Sequence, residues 1–371
     1  MKIFVVGTRG IPDIPGGVEK HCEQLYPLVV AKGHEVFLCR RAHYIKLKSH
    51  EWKGVKLLDC FTFSQSKHFE AIIHTFIGII KARFHSPDIV HIHGIGPSLL
   101  VPFARLLGLR VVMTHHGSDY ERQKWGNMAK FILRMGEKFG CQYANEIIAI
   151  SHKIAHLIHN QYGRKSYVIP NGVRLPPLST RTYFLDKLEI EPKSYILAVA
   201  RFVPEKGLHD LIEAFSSLDT PYKLVIAGDA DHEDEYSKNL KLKAKENERI
   251  VLTGYITGER LHQFYTYARL FVLASHHEGL PIVLLEALSY GLPVLVSDIP
   301  ANKEIDLSTE KYFKCGNVAE LGRQLKLHLQ KEIIEEEKIT IRHQVKNQYN
   351  WDKIAEQTMR VYKKAISSYL L

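Results

Sequence analysis

Short apolar runs alternate with longer amphipathic segments along the whole chain of 371 residues. The short runs are rich in Val and Ile, which is typical of buried strands, whereas the longer segments repeat their apolar residues every three or four positions, which is typical of helices. The predicted strands cover residues 3–7, 35–39, 55–60, 88–93, 110–114, 146–150, 167–169, 195–200, 223–227, 250–252, 270–274 and 293–297. Strands that alternate with helices predict βαβ units and parallel sheets.

The amphipathic segments predict helices between these strands. The clearest ones cover residues 18–32, 69–84, 128–143, 209–218, 236–245 and 281–290, and further helical patterns run from about residue 319 to the end, the last from about Trp351. In the helix 69–84, Phe69, Ile72, Ile73, Phe76, Ile77 and Ile80 share one apolar face. We expect this face to pack against the sheet, with docking on a membrane as the alternative.

A turn-rich segment at residues 170–177 divides the pattern into two halves. The sequence therefore predicts two doubly wound α/β domains, at residues 1–173 and 174–348, and a helix at 349–371 that crosses back to the first domain. Two such domains are expected to face each other across a cleft. Ligands of open parallel sheets bind beyond the carboxyl ends of the strands, so functional residues are expected in the loops that follow strands.

Composition excludes several classes of protein. Apolar residues make up 45% and charged residues 24% of the chain, which is ordinary for a globular protein. No apolar run approaches the ~20 residues of a membrane span. The chain opens on a predicted strand, and this is not the pattern of a signal peptide. The five cysteines are scattered without CxxC spacing, which argues against a disulfide scaffold or zinc site and favours a cytoplasmic location.

The positive charge is concentrated in the first half. The net charge is +10 overall, and residues 1–175 carry 24 basic against 12 acidic side chains. Seven basic residues lie between Arg40 and Lys67. Such a surface suits a phosphorylated substrate or the inner face of an anionic membrane, where the protein would be peripheral. A solvated surface is the alternative. Nucleic acid is a weaker candidate because no nucleic-acid motif accompanies the charge.

Two cations follow the predicted strand 195–200, in the sequence Arg201-Phe202-Val203-Pro204-Glu205-Lys206-Gly207. Arg201 and Lys206 are expected to project from the end of the strand, just before a helix. Two fixed cations beside a helix N-terminus suit a diphosphate, because both supply positive charge to its oxygens. Ordinary surface cations are the alternative.

A second loop, Ser275-His276-His277-Glu278-Gly279-Leu280-Pro281, follows the strand 270–274. Gly279 permits close approach of the backbone to a ligand, and Pro281 suits the first turn of a helix. Glu278 precedes this helix and Glu286 lies within its apolar run. A buried carboxylate needs hydrogen-bond partners, and hydroxyls of a sugar or ribose would serve. An exposed face or a structural ion pair is the alternative.

These two segments together resemble the donor site of glycosyltransferase family 4, whose members are retaining enzymes of the GT-B fold. The resemblance rests on Glu278-x7-Glu286 and on the upstream Arg201–Gly207 segment, and it extends over nearly the whole chain. Further matching motifs are Gly16-Gly17-Val18-Glu19, Gly33-His34-Glu35-Val36, Pro170-Asn171-Gly172-Val173, Thr253-Gly254-Tyr255 and the helix at Trp351. Each motif alone is weak, but their order along the chain is that of the family.

The resemblance implies a role for each matching residue of the donor site. Arg201 and Lys206 would hold the donor diphosphate, Glu286 the nucleotide ribose and Glu278 the transferred sugar. The other implied substrate-binding positions are Gly16, Gly17, Asn171, Gly254, Tyr255, Gly279 and Leu280. Members of the fold usually need no catalytic metal and no resident cofactor, so none is expected. Two departures, Ala200 and Ala230 in place of common glycines, predict small local differences.

The first domain supplies the acceptor side in this family. His116, in Thr114-His115-His116-Gly117, matches the histidine that lies near the transferred sugar, with His115 as the adjacent alternative. The continuation Glu121-Arg122-Gln123-Lys124-Trp125-Gly126 resembles a subgroup that includes bacterial rhamnosyltransferases of surface polysaccharides. Asp119 and Arg122 are expected to bind substrate. We interpret the alternating pair His91 and His93 as structural, without a metal.

The sequence therefore predicts a retaining glycosyltransferase. Its donor would be a nucleotide sugar, with UDP favoured and dTDP or GDP open. Its acceptor would be a saccharide, with a lipid-diphosphate-linked acceptor expected from the basic first domain. A GT-B sugar-nucleotide epimerase and a non-catalytic sugar-nucleotide-binding scaffold are the alternatives.

Overall fold

A computed structural model describes residues 1–45, 49–60, 67–121, 126–230, 232–331 and 334–367. The strands are β1 Lys2–Val6, β2 Glu35–Arg41, β3 Glu51–Trp52, β4 Val55–Cys60, β5 Ile89–His93, β6 Val111–His115, β7 Glu146–Ala149, β8 Tyr167–Val168, β9 Tyr195–Val199, β10 Lys223–Ala227, β11 Ile250–Gly254, β12 Leu270–Leu273, β13 Val294–Ser297 and β14 Tyr312–Phe313. The helices are α1 Gly17–Ala31, α2 Lys67–His85, α3 Val101–Leu106, α4 Asn127–Tyr143, α5 His152–Tyr162, α6 Tyr183–Asp186, α7 Leu208–Ser216, α8 Glu235–Lys245, α9 Gly258–Tyr267, α10 Ile282–Ser289, α11 Pro300–Lys303, α12 Val318–Gln330, α13 Glu335–Gln348 and α14 Trp351–Ser367.

The chain forms two compact units. The first comprises Met1–Gly172 together with the chain from Trp351 onward, and the second comprises Val173–Asn350. The boundaries expected from the sequence, at residues 173 and 348, lie one and two residues away. Where the chain enters and leaves the second unit, Val173 pairs with Asn350.

The first unit is built on a sheet with the strand order β3-β4-β2-β1-β5-β6-β7-β8. Its strands pair in parallel from β4 to β8, and the short edge strand β3 is antiparallel to β4. The central strands are buried along their length, because helices cover both faces of a parallel sheet. The helix α14 packs on α1 and buries Trp351, Ile354 and Tyr362.

The second unit has a sheet with the order β11-β10-β9-β12-β13-β14, and its strand pairs are parallel in the described residues. Alternate side chains of its central strands, from one face of the sheet, form a core with α7 and α12. A capping box begins α8. The Asp234 carboxylate accepts from the Ser237 backbone N–H at 2.8 Å, and the Ser237 hydroxyl accepts from the Asp234 backbone N–H.

The helix α2 packs through a different face from the one its apolar pattern predicts. His74, Thr75, Ile79 and Ala82 are buried, whereas Ile73 and Phe76 are 37% and 44% exposed. Gly78 explains the difference, because a Cβ there would lie 2.7 Å from Val6 Cγ1. The small side of the helix therefore approaches β1 closely. The side chain of Phe69 lies outside the described residues.

Among the described residues, no helix has the length and apolar character that crossing a bilayer requires.

Candidate functional site

Two loops of the second unit bring the expected donor-binding residues together. Arg201 and Lys206 lie after β9, and Glu278 lies between β12 and α10. Because β9 and β12 are parallel neighbours, their carboxyl ends meet at the same edge of the sheet. The backbone N–H of His276 donates to the carbonyl oxygen of Glu205 at 2.9 Å, which joins the two loops directly.

An ion pair forms the centre of this arrangement. Lys206 Nζ donates to Glu278 Oε1 at 2.5 Å, and the hydroxyl of Ser275 donates to the same oxygen at 2.8 Å. The side chains of Lys206 and Glu278 are only 17% and 11% exposed. Partial burial strengthens a charge pair relative to one at the surface, because water screens it less. The two residues that the sequence assigned to diphosphate and sugar are therefore held together.

Gly207 makes the contact between the loops possible. Its φ is +59°, and a Cβ at this position would lie 2.1 Å from the carbonyl oxygen of Ala274. A side chain would thus push the loop after β9 away from the end of β12. The glycine of the Arg201–Gly207 segment is required by this close approach and by its left-handed backbone.

Glu286 lies on α10, the helix that follows the loop of Glu278. Its Oε2 accepts from the Tyr265 hydroxyl at 3.2 Å, and Tyr265 stacks on Tyr290 with ring centroids 5.0 Å apart. Burial, and next the charge of Glu286, raise the pKa of Tyr265, so the phenol remains a donor at neutral pH. Glu286 is partly exposed, and a carboxylate accepts hydrogen bonds, which suits the binding of hydroxyl groups.

The remaining donor-side positions lie at neighbouring strand ends. Gly254 ends β11 with φ +69°, and Tyr255 is 51% exposed directly after it. Gly279 is partly exposed and Leu280 is buried, at the start of α10. An exposed aromatic ring beside a glycine turn is suited to stack on a planar group such as a base.

In the first unit, four histidines meet in what we call the histidine cluster: His21, His91, His93 and His116. His116 Nε2 lies 2.9 Å from His93 Nδ1, and His21 Nδ1 lies 2.9 Å from Asn171 Oδ1. His91 and His93 alternate on β5, so both point to one face of the sheet. The structural interpretation of this pair fits their buried contacts.

Two tyrosines complete the histidine cluster, and the sequence analysis did not select them. The Tyr26 hydroxyl lies 3.0 Å from His91 Nδ1 and 2.5 Å from His93 Nε2, and the Tyr362 hydroxyl lies 2.6 Å from His91 Nδ1. Tyr362 comes from α14, so no local pattern could have placed it here. Burial lowers the pKa of His21 to about 4 and that of His91 to about 3, and it lowers the pKa of His93 and His116 well below the usual value.

The structure distinguishes His116 from its neighbour His115. His115 is fully buried, and its Nε2 donates to Glu137 Oε1 at 2.8 Å while its Nδ1 accepts from the Gly117 backbone N–H at 3.2 Å. His116 is partly exposed and joins the histidine cluster. As a neutral imidazole it offers one donor and one acceptor, which suits hydrogen bonding to a sugar rather than charge stabilisation. Of the two, His116 is the residue placed to meet a ligand.

The glycine loop before α1 is closely packed around one carboxylate. Gly16 has φ +142°, and a Cβ on it would lie 2.0 Å from Glu19 Oε2. Glu19 Oε1 also accepts from the Arg9 backbone N–H at 3.1 Å. Gly17 begins α1 with open space around its Cα. Gly16 is therefore required by the fold of the loop, whereas Gly17 is free to serve a ligand.

The remaining predicted substrate-binding residues of the first unit, Asn171, Asp119 and Arg122, differ in burial and in whether the structure describes them. Asn171 is buried against His21, which gives it a structural contact whether or not it binds substrate. Asp119 is partly exposed in the turn after β6. Arg122 lies outside the described residues, as do Gln123, Lys124 and Trp125. The assignments of Asp119 and Arg122 to substrate stay predictions.

For two residues of the basic stretch between Arg40 and Lys67, the prediction of a surface that attracts anions is wrong. Arg40 is 1% exposed and its Nη2 lies 2.6 Å from Asp59 Oδ1. The guanidinium of Arg41 is mostly buried and lies 3.7 Å from a Glu70 oxygen. These two charges are neutralised inside the unit. Lys46 and Lys48 lie outside the described residues, as does the Lys67 side chain.

Two groups in the described residues have the spacing to hold a metal ion. One is His21, His93 and His116, and the other is His209, Asp210 and His276 near the donor-side loops. Neither group was selected from the sequence, because its members are far apart along the chain. Among the members of both groups, only His93 had been considered as a metal ligand, with His91, whereas His116 had been selected for sugar binding.

Two parallel-sheet α/β units, each with polar residues at the carboxyl ends of its strands, define the GT-B class of protein. Residues 15–175 match the model of the family described as Glycosyltransferase Family 4, and residues 180–359 match the model described as Glycosyl transferases group 1. The chain therefore belongs to the family 4 and group 1 glycosyltransferases, and the resemblance seen in the sequence is confirmed.

The relatives include proteins of bacterial surface polysaccharides. The chain is 29% identical over 231 residues to TuaC of Bacillus subtilis, named as a teichuronic acid biosynthesis glycosyltransferase, with 59% of this chain and 55% of TuaC covered. It is 28% identical over 258 residues to the UDP-Gal:alpha-D-GlcNAc-diphosphoundecaprenol alpha-1,3-galactosyltransferase of Escherichia coli, with 66% and 65% covered. These alignments span less than two thirds of either relative.

Solved structures confirm the fold. The sucrose-phosphate synthase of Thermosynechococcus elongatus superposes with a TM-score of 0.83 at 18% identity over 99% of both chains. HepE of Anabaena, in complex with UDP and glucose, superposes with a TM-score of 0.80 at 16% identity over 98% of this chain and 99% of HepE. At these identities the likeness establishes the GT-B architecture.

Proposed function

We propose that the protein transfers a sugar from a nucleotide-diphosphate donor to a saccharide acceptor, with retention of the anomeric configuration, in the synthesis of a bacterial surface polysaccharide. The second unit would bind the donor and the first unit the acceptor. The reaction would use no resident cofactor and no catalytic metal. The observation that carries the proposal is the ion pair of Lys206 and Glu278 at the carboxyl edge of the second sheet.

This pair fits a donor because each partner matches a different part of it. The Lys206 ammonium would turn to the diphosphate, and the Glu278 carboxylate would accept hydrogen bonds from sugar hydroxyls. Before the donor binds, each group neutralises the other, so neither is left as a buried unpaired charge. Glu286, a partly exposed carboxylate held by the Tyr265 hydroxyl, would accept hydrogen bonds from the ribose hydroxyls.

The proposed reaction requires stabilisation of the negative charge on the leaving diphosphate and uses no nucleophile of the protein. The bond between the anomeric carbon and the phosphate oxygen breaks, and negative charge develops on the diphosphate, where Arg201 and Lys206 would stabilise it. The acceptor oxygen bonds to the anomeric carbon on the same face, and its proton passes to the leaving phosphate. His116, as a neutral imidazole, would hydrogen-bond the sugar.

Uracil is the base we favour. HepE is solved with UDP, and the galactosyltransferase of Escherichia coli is named for a UDP-sugar. The exposed ring of Tyr255 at the end of β11 would stack on the base. A panel of UDP-, dTDP- and GDP-sugars tests this choice by thermal shift. A ligand at 100 times its Kd stabilises the folded state by about 2.7 kcal/mol, which is readily measured.

The same panel separates donor binding from general stabilisation. Glu286→Ala and Arg201→Ala should lose the shift, whereas Glu246→Ala, an exposed carboxylate at the end of α8, should keep it. A shift that survives in both site variants would overturn the donor site. Transfer is then measured with the preferred donor and a diphosphate-linked saccharide, and the anomeric configuration of the product decides between retention and inversion.

We also propose that the acceptor is lipid-linked and that the first unit docks on an anionic membrane. Three neighbouring helices expose large apolar side chains: Phe76 of α2, Leu106 of α3, and Met128 and Phe131 of α4. Phe76 stacks on Phe103 of α3 at 5.0 Å, and α3 packs against α4. Exposed apolar rings beside basic residues are typical of interfacial helices.

Vesicle binding tests the docking proposal. Full-length protein should pellet with vesicles of anionic phospholipid and remain in solution with neutral ones. A Phe131→Ser and Leu106→Ser double variant should bind at least about tenfold more weakly, since each buried apolar side chain contributes about 1.5–3 kcal/mol. Leu242→Ser, an exposed leucine of the second unit, serves as the matched control. Equal pelleting with anionic and neutral vesicles would contradict the proposal.

A further inference from the structure

Two histidines and an aspartate converge beside the donor-side loops. His276 Nε2 lies 2.6 Å from Asp210 Oδ2, and His209 Nε2 lies 3.4 Å from Asp210 Oδ1. His209 and Asp210 stand in the first turn of α7, and His276 stands in the loop after β12. One candidate ligand atom from each residue lies within 4.8 Å of the others.

The chemistry of these three side chains suits a divalent transition metal. Two imidazoles and one carboxylate on one side of an ion leave other coordination positions to water, as in many Zn²⁺ and related sites. The imidazole nitrogens favour Zn²⁺ or Co²⁺ over Mg²⁺, which takes oxygen ligands. Moderate exposure of both histidines, 37% and 31%, leaves a path for the ion.

A tyrosine orients one of the candidate ligands. The Tyr236 hydroxyl lies 2.9 Å from His209 Nδ1, on the opposite side of the ring from Asp210. Metal-binding histidines usually make such a hydrogen bond through their second nitrogen, which fixes the ring orientation and tautomer. His276 is fixed through its backbone N–H, which donates to the carbonyl oxygen of Glu205 at 2.9 Å.

A buried carboxylate nearby gives an independent indication of a cation. Glu205 is 5% exposed, and neither of its carboxylate oxygens has a hydrogen-bond partner in the described part of the chain. The carbonyl oxygen of Glu205 is bonded to His276, so this unpartnered carboxylate belongs to the same loop contact as the candidate ligands, and a bound cation would offset its charge and that of Asp210.

We propose that His209, Asp210 and His276 bind one Zn²⁺ or a similar transition-metal ion, with Tyr236 as a positioning residue. The ion would tie the loop that carries Glu278 to the start of α7, as a structural clamp and not as a catalytic group. The histidine cluster is the poorer candidate, because among the described residues its possible ligands are three histidines, without a carboxylate to balance a dication. This inference does not depend on the proposed function.

The test uses the full chain after removal of metals with a chelator. Co²⁺ titration should give visible absorption bands that saturate at one equivalent, and Zn²⁺ should displace the Co²⁺. Asp210→Asn and His276→Gln should each weaken binding at least about tenfold, and Tyr236→Phe should weaken it about tenfold through loss of orientation. Tyr236→Phe removes a single hydroxyl, so it keeps the test valid if the other variants fold poorly.

Two control variants assign the site. His277→Gln, in the same loop as His276, should leave Co²⁺ affinity unchanged, and so should His21→Asn in the histidine cluster. Saturation at one equivalent with this pattern supports the proposal. Absence of saturable binding below millimolar metal, equal affinity in Asp210→Asn, or loss of binding in His21→Asn would each overturn it.

Discussion

The Lys206 ammonium and the Glu278 carboxylate form a 2.5 Å hydrogen bond, although the two residues are 72 positions apart in the sequence. Two parallel strands, β9 and β12, bring them to the same sheet edge. The ion pair gives each charge a partner when no donor is bound. It also predicts that stability and activity respond differently when the pair is altered.

Replacing either Lys206 or Glu278 alone should lower both stability and activity. Replacing the two together should restore stability but not activity. We expect Lys206→Met to lower kcat about 10²–10³-fold, the usual effect of losing one group that stabilises transition-state charge. The partly buried Glu278 would then lack its cation, so the unfolding temperature should fall. The Lys206→Met and Glu278→Gln double variant should regain much of that temperature but not kcat.

Thermal unfolding and steady-state kinetics on the four proteins of this cycle make the measurement. Lys303→Met, which removes an exposed lysine, is the control and should leave both properties unchanged. Additive losses of stability in the double variant would show that the two side chains are not energetically coupled.

The adjacent glycines Gly16 and Gly17 should separate folding from ligand binding. Gly16→Ala places a methyl group against Glu19 and forces a left-handed φ, so we expect a loss of about 1–3 kcal/mol in stability. Gly17→Ala meets nothing within 4 Å and should fold normally. If the loop approaches the donor diphosphate, Gly17→Ala will still raise the KM for donor. A normal KM in Gly17→Ala would remove this residue from the site.

Glu137 should be essential for the stability of the first unit. Its buried carboxylate accepts from His115 at 2.8 Å and from the Tyr162 hydroxyl at 2.7 Å. Glu137→Leu leaves these donors without a partner, and a loss of about 3–5 kcal/mol is expected. Tyr162→Phe should lose only about 1 kcal/mol. Urea unfolding is the measurement, and Lys138→Leu, at the exposed neighbouring position, should change it little.

The histidine cluster should make the protein acid-sensitive. Burial lowers the pKa of His21 to about 4 and of His91 to about 3, so these residues are neutral when folded but protonated below pH 6.5 when unfolded. The unfolded state then binds more protons, and stability falls as the pH drops from 6.5 towards 4. The slope is at most about 1.4 kcal/mol per pH unit for each histidine.

Unfolding free energies between pH 7 and 4 would measure this slope. His21→Asn should flatten it, whereas His43→Gln, which alters an exposed histidine, should not. An unchanged slope in His21→Asn would mean that other groups dominate the acid transition.

Local pattern was sufficient to predict most strands and to select the two loops that bring Lys206 and Glu278 together. β10 has the predicted bounds because a buried parallel strand reads as a continuous apolar sequence. β4 also has the predicted bounds, although its Lys56 is exposed. The strands β3 and β14 are only two residues long, so neither forms an apolar run that could be recognised in the sequence. The Arg201–Gly207 and Ser275–Pro281 segments were identifiable because each follows a strand directly.

What the sequence could not supply were contacts between distant segments. The buried face of α2 depends on how closely Gly78 lets it approach β1, which periodicity does not report. The interior position of Arg40 depends on Asp59 of another strand. Tyr26 and Tyr362 acquire their roles only when helices from both ends of the chain meet. Glu137 acquires its role when α4 packs beside His115 and Tyr162.

The membership of α14 in the first unit has a consequence during synthesis. The second unit, Val173–Asn350, is continuous and can fold as soon as it has emerged from the ribosome. The first unit has no Trp351 or Tyr362 to cover its core until the intervening 178 residues are made. At about 5–20 residues per second, that interval is about 10–35 s. The nascent first unit therefore exposes apolar surface for that time, and chaperone binding to ribosome-bound chains should be strongest before residue 351 is translated.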